Sequence, residues 1–347
     1  MRLRVRRSIL PAACTCIVLA VCGCTGTPEP SPAPAATSSA AAPPAAAVAT
    51  TCKDKRPAVA SLAPGSISTS PSTWGSDSTM NEIKTRGHLI VGTSGDAKLW
   101  GARNPTNGKI EGFDVDVAAR VARALGVDPN KTVYKVLTIA QRVPAIQAGT
   151  VDLVAERMTI TCDRWQGSAA SPKAYVNMST AYYISGARFL VRTDSPAKEL
   201  ADLAGKTVCG VAASTSLDAL VRADTKNAVK KLVVSEPGRC LVKFQEGEAY
   251  AVVGDDTTLA GLASQDQYAQ IVGTRLNSSP VGLGLSATAK GNDFTRFVNV
   301  VLEQMRTDGS LTDLYNRWMK PTLKNQPAPA VPEPVYGRNI AALKRQS

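Results

Sequence analysis

Apolar residues recur along this chain in two alternating periods, and the alternation predicts its architecture. From Met80 onward, Asn81 to Arg86 reads as a short helix and Leu89 to Thr93 as a buried strand, followed by a loop over Ser94 to Asn107 that carries Asp96, Trp100 and Arg103. In GFDVDVAARVARALGV, Ala118, Val121, Ala122 and Leu125 fall at i, i+3, i+4 and i+7, one apolar stripe on a helix that Gly126 stops. Val133 to Leu137 is the next strand and Gln141 to Ala148 the next helix. Gly149 ends that helix, and Val151 to Val154 is a further buried strand. Strands alternating with helices of this length predict a right-handed, mostly parallel α/β sheet.

A second series begins after Ser179 to Val191, a stretch holding Tyr182, Tyr183 and the run Phe189-Leu190-Val191. Val208 to Val211 is a strand, Ser214-Thr215-Ser216 a helix cap, and Leu217, Leu220 and Val221 supply that helix's buried face. Leu232 to Val234, a helix from about Gly238 to Glu246, the strand Ala249 to Val253 and the acidic pair Asp255-Asp256 repeat the pattern. This predicts a second, smaller lobe. The chain then returns through an extended segment, Pro280 to Ser286. Phe294, Phe297, Val298, Val301, Leu302 and Met305 mark a long amphipathic helix, and Leu311, Leu314, Tyr315 and Trp318 another. Pro321 ends the fold on this reading, and the Pro-rich remainder to Ser347 is a tail.

The start of the chain changes the compartment. MRLRVRR is a basic leader, Ser8 to Val21 an apolar run of about 14 residues, short of the roughly 20 that span a bilayer. Val21-Cys22-Gly23-Cys24 follows and resembles a bacterial lipobox, which implies cleavage after Gly23 and diacylation of Cys24. Residues 25–50 are Pro, Ala, Ser and Thr with almost no charge, a solvated tether, and residues 53–80 are poorly specified. Loss of Arg2, Arg4, Arg6 and Arg7 with the leader takes the formal charge from +12 to +8. The remaining positive charge is scattered, so nucleic acid is not an expected partner, and 5% aromatic content argues against a wide aromatic groove.

Of eight cysteines, Cys14, Cys16 and Cys22 leave with the leader and Cys24 is the acylation site. Cys52, Cys162, Cys209 and Cys240 remain in an oxidising compartment, compatible with two disulfides in three possible pairings. With no C-x-x-C in the mature chain and His88 its single histidine, no metal site and no cofactor is expected.

The candidate chemistry lies just after Val151 to Val154. Residues Glu156 to Arg164 read as a polar loop where open α/β sheets leave their ligand sites. Hydroxyls at Thr159 and Thr161 and a fixed cation at Arg164 suit the holding of a small anion better than bond breaking.

RGHLIVGT (86–93), GFDVDVAARVA (112–122), RVPAIQAGTVDLV (142–154), MTITCDR (158–164), GDDTTLAG (254–261) and DGSLTDLYNRWM (308–319) together resemble the extracellular solute-binding proteins of family 3 over about residues 80–320. Within that family they are most similar to glutamate- and glutamine-binding lipoproteins. The resemblance implies a two-lobed, type II periplasmic-binding-protein-like α/β fold with two crossover hinge strands. Lobe 1 would comprise 80–187 and 283–320, and lobe 2 188–282, after a 1–23 signal peptide and a 24–79 tether and N-terminal segment. It implies Cys209–Cys240 and Cys52–Cys162 disulfides.

It also implies a ligand set. Arg164 grips an amino acid's carboxylate with help from Thr159 and the helix start at Ser214-Thr215, and Met158 belongs to the ligand-binding set. Asp255, or Asp256 in its place, receives the ammonium, and Trp100 covers the ligand. Arg157, with Arg103 or Lys98, would face an anionic side chain and favour glutamate over glutamine. Asp114, Asp116 and Arg142 are expected in structural or surface roles and His88 at a strand edge. The expected function is a monomeric, lipid-anchored receptor on the outer face of the cell membrane, not an enzyme, that hands an amino acid to ABC transporter permease subunits. Two other readings are a sensor acting through a membrane partner and a dehydratase using Glu156 or Asp96. The second has no histidine or nucleophile to support it.

Overall fold

The apolar stripe on 113–124 and its counterparts resolve into two helix-covered sheets. The computed structural model describes residues 51–323 and 329–343; the leader, Cys24 and the 25–50 tether lie outside the described residues. The first lobe runs α1 (Thr79–Arg86), β1 (Ile90–Thr93), β2 (Asp96–Ala97), β3 (Gly101–Arg103), β4 (Ile110–Glu111), α2 (Phe113–Ala124), β5 (Val133–Val136), α3 (Arg142–Gln147), β6 (Leu153–Thr159), α4 (Cys162–Gln166), β7 (Asn177–Met178) and β8 (Tyr183–Ser185). The second runs β9 (Ala187–Arg192), β10 (Thr207–Val211), α5 (Thr215–Ala223), β11 (Lys230–Val234), α6 (Pro237–Gln245), β12 (Ala251–Asp255), α7 (Asp256–Ala263) and β13 (Ala269–Val272). The return is β14 (Ser279–Leu285), α8 (Ala289–Thr307) and α9 (Ser310–Trp318).

The lobe 1 sheet has the order β5-β1-β6-β14-β7, with β8 also on β14, and the lobe 2 sheet the order β11-β10-β12-β9-β13. In each, the strands of the first β-α-β units are parallel (β5, β1 and β6; β11, β10 and β12), and the returning strands β14 and β9 are antiparallel to them. Ala118, Val121, Ala122 and Leu125 are fully buried and share one core with Phe294, Phe297, Val301 and Leu302 of α8. Gly112 opens α2 at φ 148°, where a Cβ would fall 2.3 Å from the Trp100 carbonyl, so glycine alone fits. Gly186 lies at one lobe crossover, and a Cβ there would sit 2.6 Å from the carbonyl of Asn277 in the other; the two passages run side by side because this residue has no side chain.

Three sequence expectations change. β6 continues to Thr159 instead of giving way to a loop after Val154, because β14 pairs with it as far as Val281 opposite Thr159. The pairing slips between Gly284 opposite Val154 and Gly282 opposite Met158, a bulge that the local pattern of β6 does not announce. On α5 the buried face is Ser216, Ala219 and Leu220, one step earlier than expected, and Val221 is 54% exposed.

The third change concerns the ends. Residues 51–78 pack on lobe 1: Ala60 and Leu62 are buried, and the Trp74 ring stands edge-on to Phe297 at 5.5 Å. Residues 329–343 are not a loose tail. Arg338 pairs with Asp54 at 2.9 Å with both side chains wholly buried, donates to the carbonyls of Pro57, Ala58 and Ala60, and stacks 4.6 Å over Trp165. Tyr336 donates to Glu303 at 2.6 Å. A proline-rich stretch carries no helical or strand period, so the sequence hides a strap held by ion pairing and backbone carbonyls. Disulfides join Cys52 to Cys162 and Cys209 to Cys240. Among the described residues no helix is long and apolar enough to cross a membrane.

Candidate ligand cleft

The cleft between the sheets is furnished by strand ends and helix starts. From lobe 1 come Ile139, Arg142, Arg157 and Thr159; from lobe 2 come Ser214, Thr215 and Ser216 at the head of α5, and Asp255 and Thr258 around the β12–α7 junction. Ser214 caps α5 by accepting from the Leu217 N–H, which leaves the first N–H groups of that helix directed at the cleft. Among the described residues, several hydrogen bonds cross from one lobe to the other. Arg157 Nη1 donates to Thr258 Oγ1 at 2.9 Å, Thr159 Oγ1 and Thr215 Oγ1 meet at 2.9 Å, and the Gly238 N–H donates to Asp96 at 2.9 Å. The lobes are therefore closed upon each other.

Arg164 sits in α4, which is tied on both sides. Cys162 is bonded to Cys52, and Trp165 donates from Nε1 to the Ala58 carbonyl. The Thr161 hydroxyl caps α4 by accepting from the Arg164 N–H, so it is spoken for by the helix. Arg164 donates from Nη1 to the Thr159 carbonyl and lies within electrostatic range of Asp255 of lobe 2 and of Arg142. Burial and Arg142 pull its pKa down from the usual guanidinium range, but guanidinium starts high enough to remain charged. Asp255 does not cap α7; Ser216 Oγ donates to it at 3.0 Å, and burial with the adjacent Asp256 raises its pKa. Asp256 is committed elsewhere, accepting from Arg275 Nε at 2.8 Å and Ser185 Oγ at 2.7 Å, and cannot replace it.

Several expected contributors are elsewhere. Trp100 is buried in the lobe 1 core, edge-on to Phe113 at 5.4 Å and to Tyr183 at 5.3 Å, away from the cleft lining. Met158 points to the opposite face of β6 from Thr159, where a Cβ on Gly284 would meet its sulfur; alternation along a strand requires this. Arg103 is exposed and donates to Gly108 of its own turn, while Lys98 is exposed and its carbonyl packs against Gly261 of α7. Asp116 accepts from Trp318 Nε1 on the lobe surface.

Conversely, Arg142 is not a surface group. It is 4% exposed, lines the cleft, and donates to the carbonyls of Ile139 and Glu156. Glu156 and Arg157 are both buried, 1% and 8% exposed, because β6 lies between β1 and β14 and is covered along its whole length. Arg157 takes φ 45°, and its N–H donates to Asp114 at 2.6 Å, a carboxylate that also accepts from Tyr182 at 2.5 Å. Both carboxylate oxygens of Glu156, and Nε and Nη2 of Arg157, have no hydrogen-bond partner among the described residues.

Burial raises Asp114 from 3.8 to about 6 and Glu156 from 4.5 to about 7, against the opposing pull of Arg142 and Arg157 on both. Groups whose pKa is raised on folding stabilise the fold below the unfolded pKa and cease to do so as pH rises through the folded one. Stability of the ligand-free protein should therefore fall between about pH 4 and pH 7, by on the order of 3 kcal/mol for each carboxyl. Urea unfolding at a series of pH values checks this, and a midpoint that climbs over that interval would contradict it.

The model of the bacterial extracellular solute-binding proteins, family 3, matches residues 89–321. The chain belongs to this family. Among its relatives, the ABC transporter glutamine-binding protein GlnH of Bacillus subtilis is 29% identical over 244 residues, 70% of this chain and 85% of that one. The glutamine-binding protein of Geobacillus stearothermophilus is 32% identical over 213 residues, 61% and 78%. A solved structure of an ancestral arginine-binding protein bound to glutamine superposes with a TM-score of 0.59 at 29% identity, covering 67% of this chain and 98% of that one. This chain is accordingly an extracellular solute-binding protein of family 3.

Proposed function

We propose that this receptor binds a single polar amino acid with an acid or amide side chain between its lobes and delivers it unchanged to a permease, held to the membrane through lipid on Cys24. An amino acid zwitterion needs a cation and donors at one end and an anion at the other, all withdrawn from water. Arg164, the Thr159 hydroxyl and the N–H groups at the head of α5 suit the carboxylate. Asp255 suits the ammonium. What supports the reading is that Arg164, beside the cleft, and Asp255, which lines it, come from different lobes and lie within electrostatic range of each other. Closure then completes the site, and each charge gains from the ligand what neither lobe supplies alone.

Arg142 and Arg157 place two further cations at the side-chain end, which supports glutamate as well as the glutamine named for the relatives. Thermal unfolding in the presence of each of the twenty amino acids is the test. Glutamine and glutamate should raise the melting temperature, since a ligand that binds only the native state stabilises it, and most of the others should not. Asp255→Asn should remove the shift for both. Recovery of the amino acid chemically intact after long incubation separates a receptor from a dehydratase.

A further inference from the structure

Beside the cleft lies an unusual pairing, and its consequence rests on the amino-acid reading above. Arg157 lines the cleft, and Glu156, the residue before it in the bulged part of β6, is buried within electrostatic reach of the lining residues Arg142 and Arg157 and of Glu236 across the lobes; each has hydrogen-bonding atoms unmet among the described residues. Glu156 has two bare acceptors; Arg157, with Nη1 spent on Thr258, has Nε and Nη2 to give. A primary carboxamide is the complement of such a pair: its oxygen accepts from Arg157 and its NH2 donates to Glu156. A carboxylate side chain is acceptor only. It satisfies Arg157 and confronts Glu156 with like charge in a buried setting.

The charges around Glu156 set the terms. It faces Arg142 from α3, Arg157 from its own strand, Asp114 from α2 and Glu236 from the start of α6, and it acts on Arg164 of α4. In the buried cluster the cations Arg142, Arg157 and Arg164 balance Asp114, Glu156 and Asp255 when all six are ionised. Glutamine, a zwitterion with a neutral tail, preserves that balance. Glutamate adds one negative charge, and a proton placed on Glu156 cancels it and converts that residue into a donor for the incoming carboxylate. Burial already holds the Glu156 carboxyl near neutrality, at about 7, so the proton is readily taken.

We propose that Glu156 is a proton-linked selectivity residue: ionised, it selects a carboxamide side chain, and the site admits glutamate only together with one proton bound on Glu156. Above neutrality glutamine enters with no net proton change, whereas below it the carboxyl gives up its proton to solvent as glutamine binds; in the glutamate complex charge is conserved because the proton arrives from solvent with the ligand.

Calorimetric titration of the purified full chain with glutamine and with glutamate between pH 6 and 8.5 tests this. The ratio of glutamate to glutamine affinity, which cancels titration of the shared α-amino group, should fall by roughly tenfold per pH unit above neutrality. At pH 8, titrations in buffers of different ionisation enthalpy should show close to one proton taken up per glutamate and close to none per glutamine. In Glu156→Gln the pH slope of glutamate affinity should vanish. A ratio that stays flat in the wild type, proton uptake near zero for glutamate, or a slope retained in Glu156→Gln would each overturn the proposal, and the first two need no variant to fold. If both ligands bind with pH-independent affinity, the proton linkage alone is wrong; if neither binds at any pH, the amino-acid reading of the cleft fails with it.

Discussion

Arg164→Ala is expected to abolish amino-acid binding at micromolar concentration, a loss of about 2–5 kcal/mol or roughly thirty- to several-thousand-fold in Kd. The reason is its setting: α4 holds the guanidinium beside the cleft, within electrostatic range of Asp255 across the lobes, and a ligand carboxylate stripped of water loses the cation proposed to grip it. Arg164→Lys should recover only part of the affinity, since an ammonium keeps the charge and loses the two-pronged geometry. The control is the ligand-free melting temperature. Because Arg142 disfavours the Arg164 charge, the alanine variant should unfold no earlier than the wild type. Unchanged affinity in a folded Arg164→Ala protein would remove this residue, and with it the zwitterion clasp, from the account.

The largest effect on stability is expected far from the cleft. Arg338→Ala leaves Asp54 as a wholly buried carboxylate without its cation and strips donors from three backbone carbonyls, a cost of about 3–5 kcal/mol. Denaturant unfolding should show the loss as a lowered midpoint. The double variant Asp54→Ala with Arg338→Ala should recover part of it, because the unpaired charge is then gone. Should Arg338→Ala unfold with the wild-type midpoint, the strap contributes nothing to the fold.

What the sequence made legible was what a short window records. The α2 stripe, the αL glycines after helices and the Ser214 cap are decided within a few residues, and each is where the pattern puts it. Thr159, Ser214, Thr215 and Asp255 line the cleft because strand ends and helix starts converge there in any sheet of this kind. What the window does not hold is the partner strand. β6 lies between β1 and β14 in a sheet covered on both faces, so Glu156 and Arg157 are inside together, and nothing in AERMTIT alone announces it. For Arg142 the sequence allows a structural or a surface role, and what decides for burial is the Glu156 carbonyl, fourteen residues on. Trp100 fails as a lid for the same kind of reason, since Phe113 and Tyr183 claim its ring from elements the loop itself does not mention. Thr258 and Ser216, which hold Arg157 and Asp255 in place, carried no signal beyond their chain neighbours.

The seam between residues 51–62 and the strap gives the molecule a mechanical polarity. Both ends of the described chain are bolted to the same lobe, one of them covalently through Cys52 to the short helix bearing Arg164. Lobe 2 has no such moorings and hangs from the passages at Gly186 and 273–278. A tug on the chain at Thr51 is thus borne by the half that carries the guanidinium, while the half that carries Asp255 stays at liberty to swing.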